Sequence, residues 1–207
     1  ELLTAALASG ADAVLGPVRA IYPRTAPAWM RRADIHATRP VWVRGQLRTG
    51  YTCNVMLKRK SPYLAGRRFD IALGRSGGED TAFFAGLCQA GGKIAFAPDA
   101  WVEEPVPDSR ATFSWLAKRR FRMGQTHGRL VAARAPALRL PVEVGLAGLK
   151  SGYCFAKAGV LGLSPARRNV AVLRGLLHAG AVAGLLGMRE IAQYGTASSA
   201  REAGHAA

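Results

Sequence analysis

The stretch Gly77-Gly78-Glu79-Asp80-Thr81 limits the possible fold more than any other part of this chain. Two adjacent glycines permit a bend that other residues resist, and they deliver a Glu-Asp pair to the start of a helical pattern. That pattern predicts a helix over Glu79 to Ala90, with Phe83, Phe84 and Leu87 inward, stopped at Gly91-Gly92. A short apolar run follows, Ile94 to Ala97, ending at Pro98-Asp99-Ala100. A helix feeding a buried strand through a glycine turn is a unit of an α/β layer. Beyond it lies a basic, aromatic segment from Trp115 to Gly124. A carboxylate on a helix N-terminus is favoured as the anion, and an anion can take a proton from an attacking hydroxyl. Cations stabilise charge on a departing diphosphate. On spacing alone Glu79 and Asp80 read rather as helix acids that only satisfy free amides.

The remaining pattern places this unit. Glu1 to Ser9 reads as a helix stopped by Gly10, and Ala13-Val14-Leu15 as a buried strand that Val18 to Ile21 could continue. Tyr22 to Pro40, with three prolines and four arginines, reads as a loop holding a short helix. Val41 to Val43, Thr52 to Leu57 and Ala100 to Val102 read as strands. Asp108 or Ser109 is expected to cap a long helix running to about Ala133. No acid occurs from Ser109 to Val142, while Trp115, Phe121 and Met123 interleave with the cations, so part of that helix is expected to be buried.

The chain's 207 residues carry 29 Lys and Arg against 13 Asp and Glu, a net charge of +16, which favours anionic partners. Hydrophobic residues make up 49%, which argues against global disorder. Cys53, Cys88 and Cys154 are sparse and widely spaced, which suits a reducing compartment rather than a disulfide framework. After Pro136 the chain turns apolar. Leu140 to Leu163 carries Glu143, Lys150 and Lys157 at seven-residue steps, and Val170 to Met188 is broken by Arg174 and His178. Neither segment reads as a membrane span. Two readings stand: helices lying in a membrane interface with their basic residues toward phosphates, or a helical hairpin packed on the domain.

The ordered set Ala11 to Val18, Thr49 to Leu57, Phe69-Asp70, Glu79-Asp80 and then the arginine-rich helix resembles the family 2 glycosyltransferases of the bacterial exopolysaccharide (succinoglycan-like) type. The resemblance spans about Ala11 to Arg129. It implies an α/β fold: part of a GT-A domain with a mixed sheet, followed by a C-terminal helical region. Residues 1–135 would form the acceptor-side part, 136–195 a helical membrane-interface region and 196–207 a flexible tail. It implies an inverting, single-displacement transfer of a sugar from a nucleotide-sugar to a lipid-linked or saccharide acceptor. Asp80 would be the general base, with Glu79 orienting it or holding the acceptor hydroxyl. Thr49, Gly50 and Asn54 would lie beside sugar and acceptor. Arg119, Arg120 and Arg122 would contact the donor diphosphate, although the Gln-x-x-Arg-Trp pattern of processive relatives is absent.

Glu104 stands where many relatives carry a metal-binding His. It could hold Mg²⁺ or Mn²⁺, or Glu103 and Glu104 could pair with the arginines that follow. No Asp-x-Asp occurs in the chain, so the divalent metal is expected to be held mainly by residues elsewhere. The chain is accordingly expected to be the C-terminal part of a longer enzyme, inactive alone, at the cytoplasmic face of a bacterial inner membrane. The competing reading is a non-catalytic basic module on nucleic acid or anionic membrane. No recognised nucleic-acid motif occurs, so nucleic acid is not an expected partner of the transferase reading.

Overall fold

The computed structural model describes residues 1–43, 45–73 and 77–191. The chain forms two compact units. The first comprises residues 1–22, 36–74 and 78–106, and the second residues 23–35, 75–77 and 107–207. The tail expected at 196–207 lies outside the described residues.

In the first unit, helix α1 (Leu2–Ser9) ends on Gly10 at φ 61°. Strand β1 (Ala13–Leu15) is buried throughout and sits between two others. It pairs antiparallel with β5 (Val55–Leu57) and parallel with β6 (Ile94–Phe96). Its side chains alternate between two cores, as a strand's period of two requires. Ala13 and Leu15 meet Tyr51, Phe83, Phe84 and Leu87, the last three from helix α3 (Glu79–Gln89). Val14 points the other way, to Ala11, Ala97 and Ala100, with α1 packed beside them. A mixed sheet between two helices is therefore the frame that holds α3. Two ribbons complete the unit: β2 (Val18–Ile21) parallel to β7 (Val102–Pro105), and β3 (Trp42–Val43) antiparallel to β4 (Gln46–Leu47).

Three strand expectations shift. Val18–Ile21 leaves the β1 sheet and forms its own ribbon after Gly16-Pro17. The strand expected from Thr52 begins only at Val55, because Asn54 turns its side chain into the loops. The strand expected at Ala100 starts at Val102, where the Val102 amide bonds the Pro17 carbonyl.

The second unit is helical: α2 (Ala28–Ala33), α4 (Phe113–Ala132), α5 (Leu140–Val160) and α6 (Pro165–Leu185). The cap of α4 is neither Asp108 nor Ser109. Those residues form a short 3₁₀ turn after Pro107, and Thr112 caps α4 by accepting a hydrogen bond from the Trp115 amide at 3.3 Å. The buried face of α4 is also not the aromatic one. Leu116, Arg122, Gly124, Gln125, Thr126 and Gly128 are buried. Gly124 and Gly128 lie against the α6 backbone at Leu177 and Ala181, and Gly180 and Gly184 of α6 lie against Phe121 and Gln125. A Cβ at any of the four would overlap main-chain atoms of the facing helix. Glycines four apart on both partners let two helices meet backbone to backbone. Gln125 then fastens the chain after α6: its Nε2 donates to the Arg189 carbonyl at 3.0 Å, and its Oε1 accepts from the Ile191 amide at 3.1 Å. Helix α5 packs on α6 through Ala147, Ser151, Cys154 and Ala158, and Ser151 donates to the Gly175 carbonyl at 3.0 Å. Among the described residues, no helix is long and apolar enough to cross a membrane.

Candidate active site

The predicted acid pair stands where the sequence puts it, at the first turn of α3. Gly77 and Gly78 adopt φ of 76° and 95°, a region that costs any residue with a Cβ, so the double glycine makes this approach to the helix possible. Glu79 and Asp80 are both half-buried. The Thr81 amide donates to Asp80 Oδ1 at 2.6 Å, as the free amides of a helix start allow. Glu79 Oε2 is buried and has no hydrogen-bond partner among the described residues. A sealed carboxylate oxygen without a donor is costly.

Cys53 marks what else is near. It is an exposed residue whose sulfur is nonetheless partly desolvated. Burial raises its thiol pKa, the Glu104 carboxylate raises it further and Asp80 adds to this. The thiol therefore feels two carboxylates from distant parts of the sequence, one on α3 and one on β7. Cys53, Asp80 and Glu104 lie in the same unit.

Asn54 is 7% exposed. Its Nδ2 donates to the carbonyls of Ala100 at 2.7 Å and Pro17 at 3.0 Å, and its own carbonyl accepts from the Gly16 amide at 3.0 Å. Both amide protons are thus spent on tying the β1–β2 turn to the β6–β7 turn, and neither is left for a sugar. Gly16 has no room for a side chain beneath this clamp, since a Cβ would overlap the Ala100 carbonyl and the Asn54 amide. Thr49 and Gly50 are half-buried, and Gly50 lies flat on the Phe84 ring, where a Cβ would stand 2.7 Å away. Tyr51, which the sequence analysis did not single out as functional, donates to the Gly16 carbonyl at 2.8 Å. Burial pushes its phenol up to about 12, with Cys53 a smaller contributor.

Glu103 takes a partner other than the arginines that follow it. Parallel pairing of β2 with β7 sets Arg19 opposite Glu103, at 3.8 Å between exposed side chains. The same guanidinium lies 4.0 Å from the ring centroid of Trp101. Glu104, the residue considered for a metal, is exposed on β7. It and Asp80 offer oxygen donors of the kind Mg²⁺ takes. No group of three His, Cys, Asp or Glu suited to a metal ion forms among the described residues.

The three arginines belong to α4 in the second unit. Arg119 lies 5.2 Å from the ring centroid of Trp115. Arg120 reaches the Ile35 carbonyl at 3.5 Å, and burial, then the Arg119 charge, lowers its pKa. Arg122 is buried. Burial and the Arg119 charge both disfavour the cation at Arg120, and an anion beside that pair would lower the energy.

No family model matches the chain, and no solved structure matches it significantly. The chain is 59% identical over 195 residues, 94% of its length, to the succinoglycan biosynthesis protein ExoM of Rhizobium meliloti (strain 1021), and it spans 63% of the length of that curated relative.

Proposed function

We propose that this chain is the acceptor-side part of an inverting glycosyltransferase of exopolysaccharide assembly. Asp80 acts as the base in transfer of a sugar from a nucleotide-sugar to a lipid-linked or saccharide acceptor. The observation that carries the reading is the first turn of α3. Asp80 is held there by the Thr81 amide, next to a Glu79 oxygen that lacks a donor, with Glu104 acting on the same thiol as Asp80. Similarity to a protein named for succinoglycan biosynthesis supports the pathway class.

In this reading the attacking hydroxyl of the acceptor donates to the Asp80 carboxylate, and Glu79 orients that base. The hydroxyl proton passes to Asp80 as the hydroxyl oxygen bonds to the anomeric carbon, while the bond to the diphosphate breaks on the opposite face. The electron pair leaves with the diphosphate, and no covalent enzyme intermediate forms. Asn54 supports the wall by its clamp, and Thr49 and Gly50 line it. Arg119, Arg120 and Arg122 provide the anion-binding capacity that a diphosphate needs. A divalent cation, when bound, would neutralise diphosphate charge, with Glu104 as this chain's contribution. The location proposed with this reading is the cytoplasmic face of a bacterial inner membrane.

The test is Asp80→Asn in the full-length protein, assayed for sugar transfer and, separately, for donor binding. Loss of a general base lowers turnover by about 10²–10⁴-fold, with donor affinity retained. Unchanged turnover would refute the assignment.

A further inference from the structure

Helix α5 has two apolar stripes where a helix on a water-soluble surface has one. The first, Ala147, Ser151, Cys154 and Ala158, is buried on α6. The second consists of large side chains: Val142, Leu146, Leu149 and Tyr153 at steps of four, three and four, then Val160 seven residues on, continued by Leu163 in the turn. Their exposures are 60%, 46%, 73%, 67%, 88% and 103%. At 100° per residue the two stripes point about 150° apart, so packing on α6 leaves the second one uncovered.

Charge says what covers it. From Ser109 to Arg189 there are fourteen Lys and Arg and one acid, Glu143. Arg139, Lys150, Lys157, Arg167 and Arg168 are all exposed. Lys150 and Lys157 follow Glu143 on a row beside the apolar stripe, and Arg167 and Arg168 follow the turn that carries Leu163. A second copy of this chain would bring cations against cations. An anionic lipid surface receives both features together: apolar side chains enter the acyl boundary, while long cationic stems reach the phosphates.

We infer that α5 and the α5–α6 turn lie on an anionic bilayer, with Val142, Leu146, Leu149, Tyr153, Val160 and Leu163 in the lipid and Arg139, Lys150, Lys157, Arg167 and Arg168 at the headgroups. The inference stands apart from the transferase reading, since lipid binding requires no turnover.

The experiment is co-sedimentation of the full chain with vesicles of phosphatidylcholine alone or mixed with phosphatidylglycerol. The chain binds the mixed vesicles, and binding weakens with salt. Lys150→Gln and Lys157→Gln each weaken it about fivefold. The double variant Leu149→Glu/Tyr153→Glu weakens it by at least about tenfold, with helix content unchanged in circular dichroism because neither side chain supports the fold. The Tyr153→Trp variant reports insertion by a blue-shifted emission on mixed vesicles. Equal binding by the parent chain and the double variant overturns the inference. So does failure to bind mixed vesicles, or a concentration-dependent dimer that the double variant abolishes.

Discussion

Asn54→Ala separates a structural role from a ligand-binding one, because the two predict opposite readouts. Truncation removes the bonds to Ala100 and Pro17. The Ala100 carbonyl belongs to a residue 7% exposed, so an unmet acceptor there costs about 1–3 kcal/mol. The Pro17 carbonyl keeps the Val102 amide at 3.2 Å, so its loss is nearer a net bond, about 1 kcal/mol. The sum is about 3 kcal/mol, a large share of the roughly 5–15 kcal/mol that holds a domain. At about 2–4 °C per kcal/mol the melting point falls by roughly 6–12 °C. Hydrogen exchange locates the loss: amides of β1 and β6 lose protection while those of α4 and α6 keep theirs. Asn54→Asp falls further, since it sets a carboxylate against two carbonyl oxygens. A variant that melts within about 1 °C of the parent, with β1 protection intact, would refute the clamp; the melting scale is that of a domain this size.

Four further outcomes follow from the structure. Gly184→Ala drives a Cβ into the Gln125 carbonyl and destabilises the α4–α6 packing by about 1–3 kcal/mol or more. By contrast, Gly148→Ala on α5 meets nothing within 4 Å and stabilises by about 0.5–1 kcal/mol, both read from chemical denaturation. Glu104→Gln lowers the Cys53 thiol pKa and speeds its alkylation at mildly alkaline pH, and Asp80→Asn does so less; equal rates in all three proteins would show that the carboxylates do not face Cys53. Tyr51 binds its proton more tightly when folded, so the stability it confers is complete below 10 and lost as pH rises from 10 toward about 12. In Tyr51→Phe that part of the alkaline loss disappears from the pH dependence of unfolding.

What could be read from the sequence was local. The glycine pair before Glu79 and the spacing of Phe83, Phe84 and Leu87 define α3, because a helix start and its buried face are set within a few residues. The run Ala13-Val14-Leu15 declares a strand with two buried faces. Contacts across the sequence stayed hidden. Asn54 reads as a polar residue on a strand until its partners, 37 and 46 residues away, are known. Glu103 finds Arg19 only through the parallel register of β2 and β7. Asp108 and Ser109 are the right residue types for a cap, and only the 3₁₀ turn after Pro107 moves the cap on to Thr112.

Which part of α4 is buried did have a signal in the sequence. Gly124 and Gly128, Gly180 and Gly184 repeat a four-residue step that brings helix backbones together, yet the eye goes to Trp115, Phe121 and Met123. Their partial exposure follows from that geometry. When two helices touch along glycines, little room remains between them for rings, so the large side chains move to the flanks. Trp115 there remains half-buried and meets Arg119. The same packing that displaced the aromatics thus left the Trp115 ring beside the Arg119 guanidinium, a cation–π contact on the flank of the helix.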